Sequence, residues 1–188
     1  MNKPIDISDV TIKTERLKLR SWKMEDLDDF YEYASVDGVG QMAGWLPHEN
    51  KEVSMRILQK FIEGKKTFAI EYQGKVIGSL GIEKYSEEEL PEFAKVNARI
   101  IGFVLSKDYW GMGLMPEAVK AVIRYLFEEE KLDVIFCAHY EWNLQSARVQ
   151  EKCGFSFYKE VTHKTTFQTE EKSVMNILRQ EEWRNMHD

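Results

Sequence analysis

The chain is poor in several residue types, and each shortage narrows what it can be. Its 188 residues include two cysteines, Cys137 and Cys153, and four histidines, His48, His139, His163 and His187. The cysteines stand in unrelated contexts, an apolar strand and the end of a helix, so they are expected to be buried structural thiols. The histidines form no cluster, and neither cysteine has a second ligand at metal spacing, so no metal is expected. Only four prolines occur, and no repeat, low-complexity tract or Pro/Gly/Ser-rich linker divides the sequence. One domain over 11–188 is therefore expected, behind a flexible tail at 1–10. No uncharged apolar run approaches the ~20 residues that span a bilayer. The opening Met1-Asn2-Lys3-Pro4-Ile5-Asp6 lacks the apolar stretch of a secretory signal. A cytoplasmic location without a membrane partner follows as the expectation. Positive charge is also in deficit: the formal net charge is −6, which argues against nucleic acid as a partner. The acidic runs Glu87-Glu88-Glu89 and Glu128-Glu129-Glu130 read as solvated surface.

Two familiar phosphate loops are missing as well. There is no Gly-Lys-Ser/Thr, and no third glycine at dinucleotide-binding spacing. What is present is Tyr109-Trp110-Gly111-Met112-Gly113-Leu114-Met115-Pro116-Glu117-Ala118. An apolar run, Ile100-Ile101-Gly102-Phe103-Val104-Leu105, precedes it and reads as a buried strand. Ala118, Val119, Val122, Ile123, Leu126 and Phe127 follow at the three-and-four spacing of an amphipathic helix. A strand, a Gly-x-Gly turn and a helix form an arrangement suited to phosphate. Glycines let the backbone approach the ligand, and the helix start adds unpaired N–H donors and a positive dipole end. Pro116 suits the first turn, where a missing N–H costs nothing.

Elsewhere the pattern gives a strand at Leu17 and Leu19 and a helix at about 24 to 35. A second helix is capped by Asn50, and a hairpin turns at Gln73-Gly74. Val134-Ile135-Phe136-Cys137-Ala138 reads as a central strand. Asn143 then caps a helix that stops near Cys153, with Gly154 as its left-handed terminator. Strands around Phe155–Phe157 and Val174–Leu178 finish the chain. The fold class is α+β, a mixed and mostly antiparallel sheet of about seven strands with about four helices.

Together these segments resemble one family. Gly102-Phe103-Val104-Leu105 followed by Tyr109-Trp110-Gly111-Met112-Gly113 resembles motif A of the GCN5-related N-acetyltransferases. Asn143-Leu144-Gln145-Ser146-Ala147-Arg148-Val149-Gln150-Glu151-Lys152-Cys153-Gly154-Phe155 is similar to their motif B. Thr14-Glu15-Arg16-Leu17-Lys18-Leu19-Arg20 resembles the opening strand of the branch that acetylates ribosomal-protein N-termini. The resemblance spans residues 12 to 183. It implies a sheet splayed between the fourth and fifth strands and an acetyl-CoA-dependent N-acetyltransferase. The acceptor would be a protein N-terminus or a small-molecule amine, attacked directly in a ternary complex, by a monomer or homodimer. A CoA-binding sensor of the same fold, or a transferase for another acyl-CoA, are the alternatives.

The resemblance also assigns residues. The amides of Trp110, Gly111, Met112, Gly113 and Leu114 would hold the pyrophosphate, assisted by Arg148 or Lys107. Val104 and Leu105 would pair with the pantetheine, and the Leu105 N–H would face the oxyanion. Asn143 would contact the coenzyme as well as cap its helix. Many members carry a tyrosine acid where Gln150 stands, so Ser146 is the nearest hydroxyl for the thiolate, with Tyr140 and Tyr158 as weaker substitutes. Ser146 could equally be bonded to a helix carbonyl. Many members also place Gln or Arg at Asp108, which is expected here to face solvent. The branch often has a glutamate at Ile100, so the base falls first to Glu83 and second to His139, unless these are an ordinary surface carboxylate and a satisfied histidine and a solvated site works without a dedicated base. Phe30, Tyr33, Met42 and Trp45 fall where such folds place the acceptor wall, with plain core packing as the competing reading, strongest for Phe30 and weakest for Trp45.

Overall fold

A computed structural model describes residues 2–187, so Met1 and Asp188 lie outside the described residues. It shows one eight-stranded sheet in the order β1-β2-β3-β4-β5-β6-β8-β7. The strands are β1 (Ile12–Lys13), β2 (Leu17–Ser21), β3 (Thr67–Tyr72), β4 (Lys75–Glu83), β5 (Ala98–Leu105), β6 (Val134–Tyr140), β7 (Ser156–Lys164) and β8 (Glu170–Arg179). The helices are α1 (Leu27–Ala34), α2 (Lys51–Gly64), α3 (Leu114–Glu128), α4 (Leu144–Lys152) and α5 (Gln180–Asn185). Only β5 and β6 run parallel; every other neighbouring pair is antiparallel.

The sheet thus has eight strands where seven were expected, and five helices where four were. The extra strand β1 is two residues long, too short to display alternation, and pairs Ile12 with Leu19. The extra helix α5 carries one buried apolar residue, Trp183, whose ring packs on Phe127. A single anchor gives no helical period to read. The segment expected to be a flexible tail is fastened at Ile7. Its side chain is buried in the core, and its N–H bonds the Lys65 carbonyl at 2.9 Å.

The expected caps are present. The Asn50 side chain accepts from the Val53 N–H at 3.0 Å, and Asn143 accepts from the Ser146 N–H at 3.1 Å. Gly154 follows α4 with φ +89. Both cysteines are free and buried, and burial pushes the Cys153 thiol up to about 12.

The feature that positions the site lies between β5 and β6. Their parallel register runs from Ala98–Val134 to Ile101–Cys137 and stops. β5 nevertheless continues to Leu105 and β6 to Tyr140. The strands therefore part beyond Ile101, as the resemblance implied.

Which backbone groups this opening exposes follows from the neighbouring ladder. The Ser106 N–H bonds the Ile77 carbonyl at 2.7 Å, in the same register that sets Val104 opposite Ser79. Antiparallel partners alternate between bonded and non-bonded pairs. Residues 100, 102 and 104 therefore spend their backbone groups on β4, while 101, 103 and 105 turn theirs toward β6. Ile101 finds β6 there. Phe103 and Leu105 find the gap.

Side chains sort by the same alternation. Ile101, Phe103 and Leu105 pack on the core beneath α3, and Cys137 lies in that same cluster. Ala98, Ile100 and Val104 face the opposite side, toward α1 and the 84–97 loop. Gly102 lies on this second face, where a Cβ would meet nothing within 4 Å. The opening accordingly has a helical side under α3 and α4 and a second side floored at Gly102.

Candidate active site

A cleft of about 570 Å³ occupies the opening. Its helical side begins at the Gly-x-Gly turn. Gly111 and Gly113 take φ +78 and +74, a left-handed backbone that side chains resist and glycine accepts. This conformation turns successive N–H groups to one side just before α3. From Gly111 to Met115, none of these N–H groups has a protein partner among the described residues. Trp110 differs from the expectation: its N–H bonds the Lys107 carbonyl at 3.2 Å and is already spent. Its indole instead donates to the Leu105 carbonyl at 2.9 Å, tying the turn to the end of β5. Asp108 is exposed and outside the cleft, as expected.

The turn is held from behind by a residue that the opening motif contained without an assigned role. Arg16 Nη1 donates to the Met112 carbonyl at 2.9 Å, and Arg16 Nε donates to Glu117 Oε2 at 2.7 Å. Glu117 also accepts from the Arg16 N–H at 2.8 Å and from the Thr14 hydroxyl at 2.5 Å. Burial alone would raise the Glu117 carboxyl. These hydrogen bonds and the Arg16 charge outweigh it and hold the group below the ordinary carboxylate range.

The edge of β5 corrects a second expectation. The Val104 backbone belongs to the β4 ladder, so it cannot pair with a ligand in the gap. The groups that face the gap are the N–H and C=O of Phe103 and the N–H of Leu105, the Leu105 carbonyl being taken by Trp110. Phe103 was missed because only the register, never the local sequence, decides which alternate residues face outward.

Helix α4 brings Ser146 and Arg148 to the same side of the cleft. The Ser146 hydroxyl is not bonded to a helix carbonyl; it accepts from the Gln150 amide at 3.2 Å. Arg148 is exposed, lines the cleft and has no ion-pair partner among the described residues. Asn143 is buried, and its Nδ2 donates to the Met42 carbonyl at 3.2 Å, tying α4 to the 40–43 turn. His139 lines the cleft and shares the helical face with Ile135 and Cys137. Its Nδ1 lies 2.8 Å from the Tyr140 carbonyl, which can only accept. Nδ1 therefore carries the proton, and Nε2 is the acceptor of the neutral ring.

On the second face the expected acceptor wall is largely replaced. Phe30 and Tyr33 are buried residues of α1 in the core it shares with α2, where Phe30 packs against Trp22, Phe61 and His48. Trp45 packs over Gly40 and His48 and does not line the cleft. Of the expected wall, Met42 alone reaches it. The remainder comes from the β7–β8 hairpin, whose strands run on to Lys164 and back from Glu170, beyond the expected Phe157 and Val174. Thr166 bonds the Gly44 carbonyl through its N–H at 2.9 Å and its hydroxyl at 3.1 Å. This joins the hairpin tip to the 40–44 loop and places His163 and Ser173 beside Tyr140 at the cleft. Tyr158 lies elsewhere, bonded to Glu92 and packed on Phe93.

Glu83 is exposed and is not part of the cleft lining. Its Oε2 pairs with Lys66. Its Oε1 leans back over Gly81, 3.5 Å from where a Cβ would stand. Gly81 is the register partner of Gly102, which does line the cleft. The carboxylate thus sits at the margin of the second face, one glycine pair away. No group of three or more metal-ligating side chains occurs among the described residues. None of their helices is long and apolar enough to cross a membrane.

Comparison with known proteins bears on this arrangement. Residues 16–156 match the family model described as an acetyltransferase (GNAT) domain. "Probable N-acetyltransferase YjcK" of Bacillus subtilis is 47% identical over 55 residues, covering 29% of this chain and 30% of that protein. "Uncharacterized N-acetyltransferase YnaD" of the same species is 27% identical over 145 residues, 76% of this chain and 81% of that one. A GNAT-family acetyltransferase from Bacillus anthracis superposes with TM-score 0.79 at 24% identity, over 92% of this chain and 99% of that one. The ribosomal-protein-S5-alanine acetyltransferase of Vibrio fischeri gives 0.70 at 20%, over 93% and 99%. The microcin C7 self-immunity acetyltransferase MccE, solved with acetyl-CoA and AMP, gives 0.72 at 13%, over 88% and 93%.

Proposed function

The chain belongs to the GNAT acetyltransferase family, and from that premise we propose that it moves an acetyl group from acetyl-CoA to a primary amine within a ternary complex. The observation that carries this reading is the continuity of two unpartnered backbone surfaces. The free amides of Gly111 to Met115 run into the free edge of Phe103 and Leu105 along one side of the cleft. The first suits a diphosphate, through convergent N–H groups and the positive end of α3. The second suits an amide-bearing arm that adds to β5 as a strand would. Acetyl-CoA has both parts in that order, and Arg148 stands where a further phosphate charge can be met.

With the coenzyme on the helical side, the amine approaches over Gly102 from the second face. The amine must be neutral to attack, although an α-amine has a solution pKa of roughly 8. Once the ammonium proton has gone to solvent, Glu83, or a water it holds, accepts the second proton, which the nitrogen loses as the C–N bond forms. The nitrogen lone pair forms the C–N bond at the acetyl carbonyl carbon, and the carbonyl oxygen gains charge that the Leu105 N–H stabilises. When the C–S bond breaks, its electron pair stays on sulfur, and the Ser146 hydroxyl donates to the departing thiolate. His139 lies on the helical face, away from the incoming amine, which favours Glu83 of the two base candidates.

The acceptor is a protein N-terminal α-amine or a small-molecule amine. The kinship to the Vibrio fischeri ribosomal-protein acetyltransferase, at the level of fold, supports the first. The test is free-thiol release from acetyl-CoA by the purified protein with a panel of N-terminal peptides and small amines. Release above the rate with water is expected for at least one class. Coenzyme binding with no release on any amine would replace this reading with that of a CoA sensor.

A further inference from the structure

We infer that Gln150 and Asn176 are a buried positioning pair that aims the Ser146 hydroxyl proton into the cleft. The inference deepens the proposed transfer reaction and rests on it. Gln150 stands on α4, one turn beyond Ser146 on the same helix face, and is 0% exposed. A fully buried amide must find partners for both ends, and both of its bonds serve one line of groups. Asn176 Nδ2 donates to Gln150 Oε1 at 2.8 Å, and Gln150 Nε2 donates to the Ser146 hydroxyl oxygen at 3.2 Å. Asn176 is held on β8 directly opposite Cys137 of β6, at the root of the opening.

The direction of the line is what matters. Because Asn176 offers an N–H to the Gln150 oxygen, the Gln150 nitrogen is the end that faces Ser146. Ser146 therefore receives a hydrogen bond on its oxygen and keeps its own proton for another acceptor. Successive bonds in a low-dielectric interior also polarise one another, which strengthens that outward O–H as a donor. The Ser146 main chain is fixed separately through Asn143, so the hydroxyl has little freedom except rotation, and Gln150 settles the rotation. A leucine of similar volume would fill the same buried position without the cost of burying an amide. The amide pair is accounted for by the proton it directs.

The experiment compares Ser146→Ala, Gln150→Leu, Gln150→Glu and the double variant Ser146→Ala/Gln150→Leu in thiol release at saturating acetyl-CoA. Gln150→Leu is expected to lower kcat about 10- to 100-fold, less than the roughly 100- to 10,000-fold worth of an acid–base group itself because the hydroxyl stays and only its aim is lost, with KM for acetyl-CoA within about threefold. The double variant should be no slower than Ser146→Ala, since both changes remove one function. Gln150→Glu supplies a signature that packing does not. An ionised carboxylate can only accept from Ser146 and reverses the bond, whereas a protonated one can donate as the amide does. Its activity relative to wild type should therefore rise as pH falls. If Gln150→Leu does not fold, Asn176→Leu at the far end reads the same kcat loss. Wild-type kcat in Gln150→Leu, or losses that multiply with Ser146→Ala, overturn the pair alone. A wild-type protein that binds acetyl-CoA but releases no thiol with any amine overturns the transfer reading beneath it.

Discussion

Arg16 and Glu117 lie 101 residues apart in sequence, yet the main-chain N–H and the side-chain Nε of the one both donate to the carboxylate of the other. The pair stands behind the Gly-x-Gly turn, and the same guanidinium grips the Met112 carbonyl. A carbonyl held from behind leaves the following N–H groups facing forward. The start of β2 thereby presets a turn that belongs to β5 and α3.

Glu117→Gln is expected to cost about 1 kcal/mol at neutral pH, the low end for hydrogen bonds to a charged group, because Arg16 is exposed while Thr14 and Glu117 are partly buried. The pH dependence has a definite sign. The folded carboxyl is held below the ordinary glutamate range, so its contribution is present above the unfolded pKa and lost as pH falls through the folded one. Denaturant unfolding at pH 7 and pH 4 checks this. The gap between wild type and Glu117→Gln should narrow on acidification.

Gly102→Val tests the second face. A Cβ there meets no neighbour within 4 Å, and a β-branched residue suits a strand, so folding should persist. The added methyls would occupy the floor over which the amine is proposed to approach. Coenzyme affinity should stay within about twofold while kcat/KM for the amine falls about 100-fold, near the upper end of what a few misplaced methyl groups cost a pocket. Calorimetry and thiol release on one preparation separate the two effects.

Glu83→Gln keeps the shape of the side chain and removes its basicity. If Glu83 accepts the proton of the amine, kcat should fall at least tenfold, and the residual rate should climb with pH further than wild type does. The pH–rate profile of the two proteins distinguishes this from loss of the Lys66 ion pair, which is exposed and worth little to stability.

Much of this molecule was legible in its sequence, for identifiable reasons. The Gly-x-Gly turn and the caps at Asn50 and Asn143 are local decisions, made by residues that tolerate a particular backbone or satisfy a particular N–H. They were placed correctly. Phe103 could not be found that way, because the choice between it and Val104 is made by the register of β4. Arg16 stands within the opening motif, but nothing local connects it with Glu117. The acceptor wall failed for a related reason. Phe30, Tyr33 and Trp45 carry the apolar area that a pocket wall needs, and the α1–α2 core draws on that same area. Of the hairpin residues that line the cleft, His163 stands in the edge strand β7, whose polar alternation resembles solvated surface, and Ser173 in the charged first half of β8, which carries little apolar pattern to read.

The central claim is that the main chain from Gly111 to Leu114 holds the coenzyme diphosphate. It is tested most directly by titrating the ¹⁵N-labelled protein with coenzyme A and following single amide resonances. The signals of Gly111, Met112, Gly113 and Leu114 should move together and saturate with the binding curve, more strongly than that of Trp110, whose N–H is already bonded to Lys107. Saturable binding that leaves those four resonances in place would contradict the account.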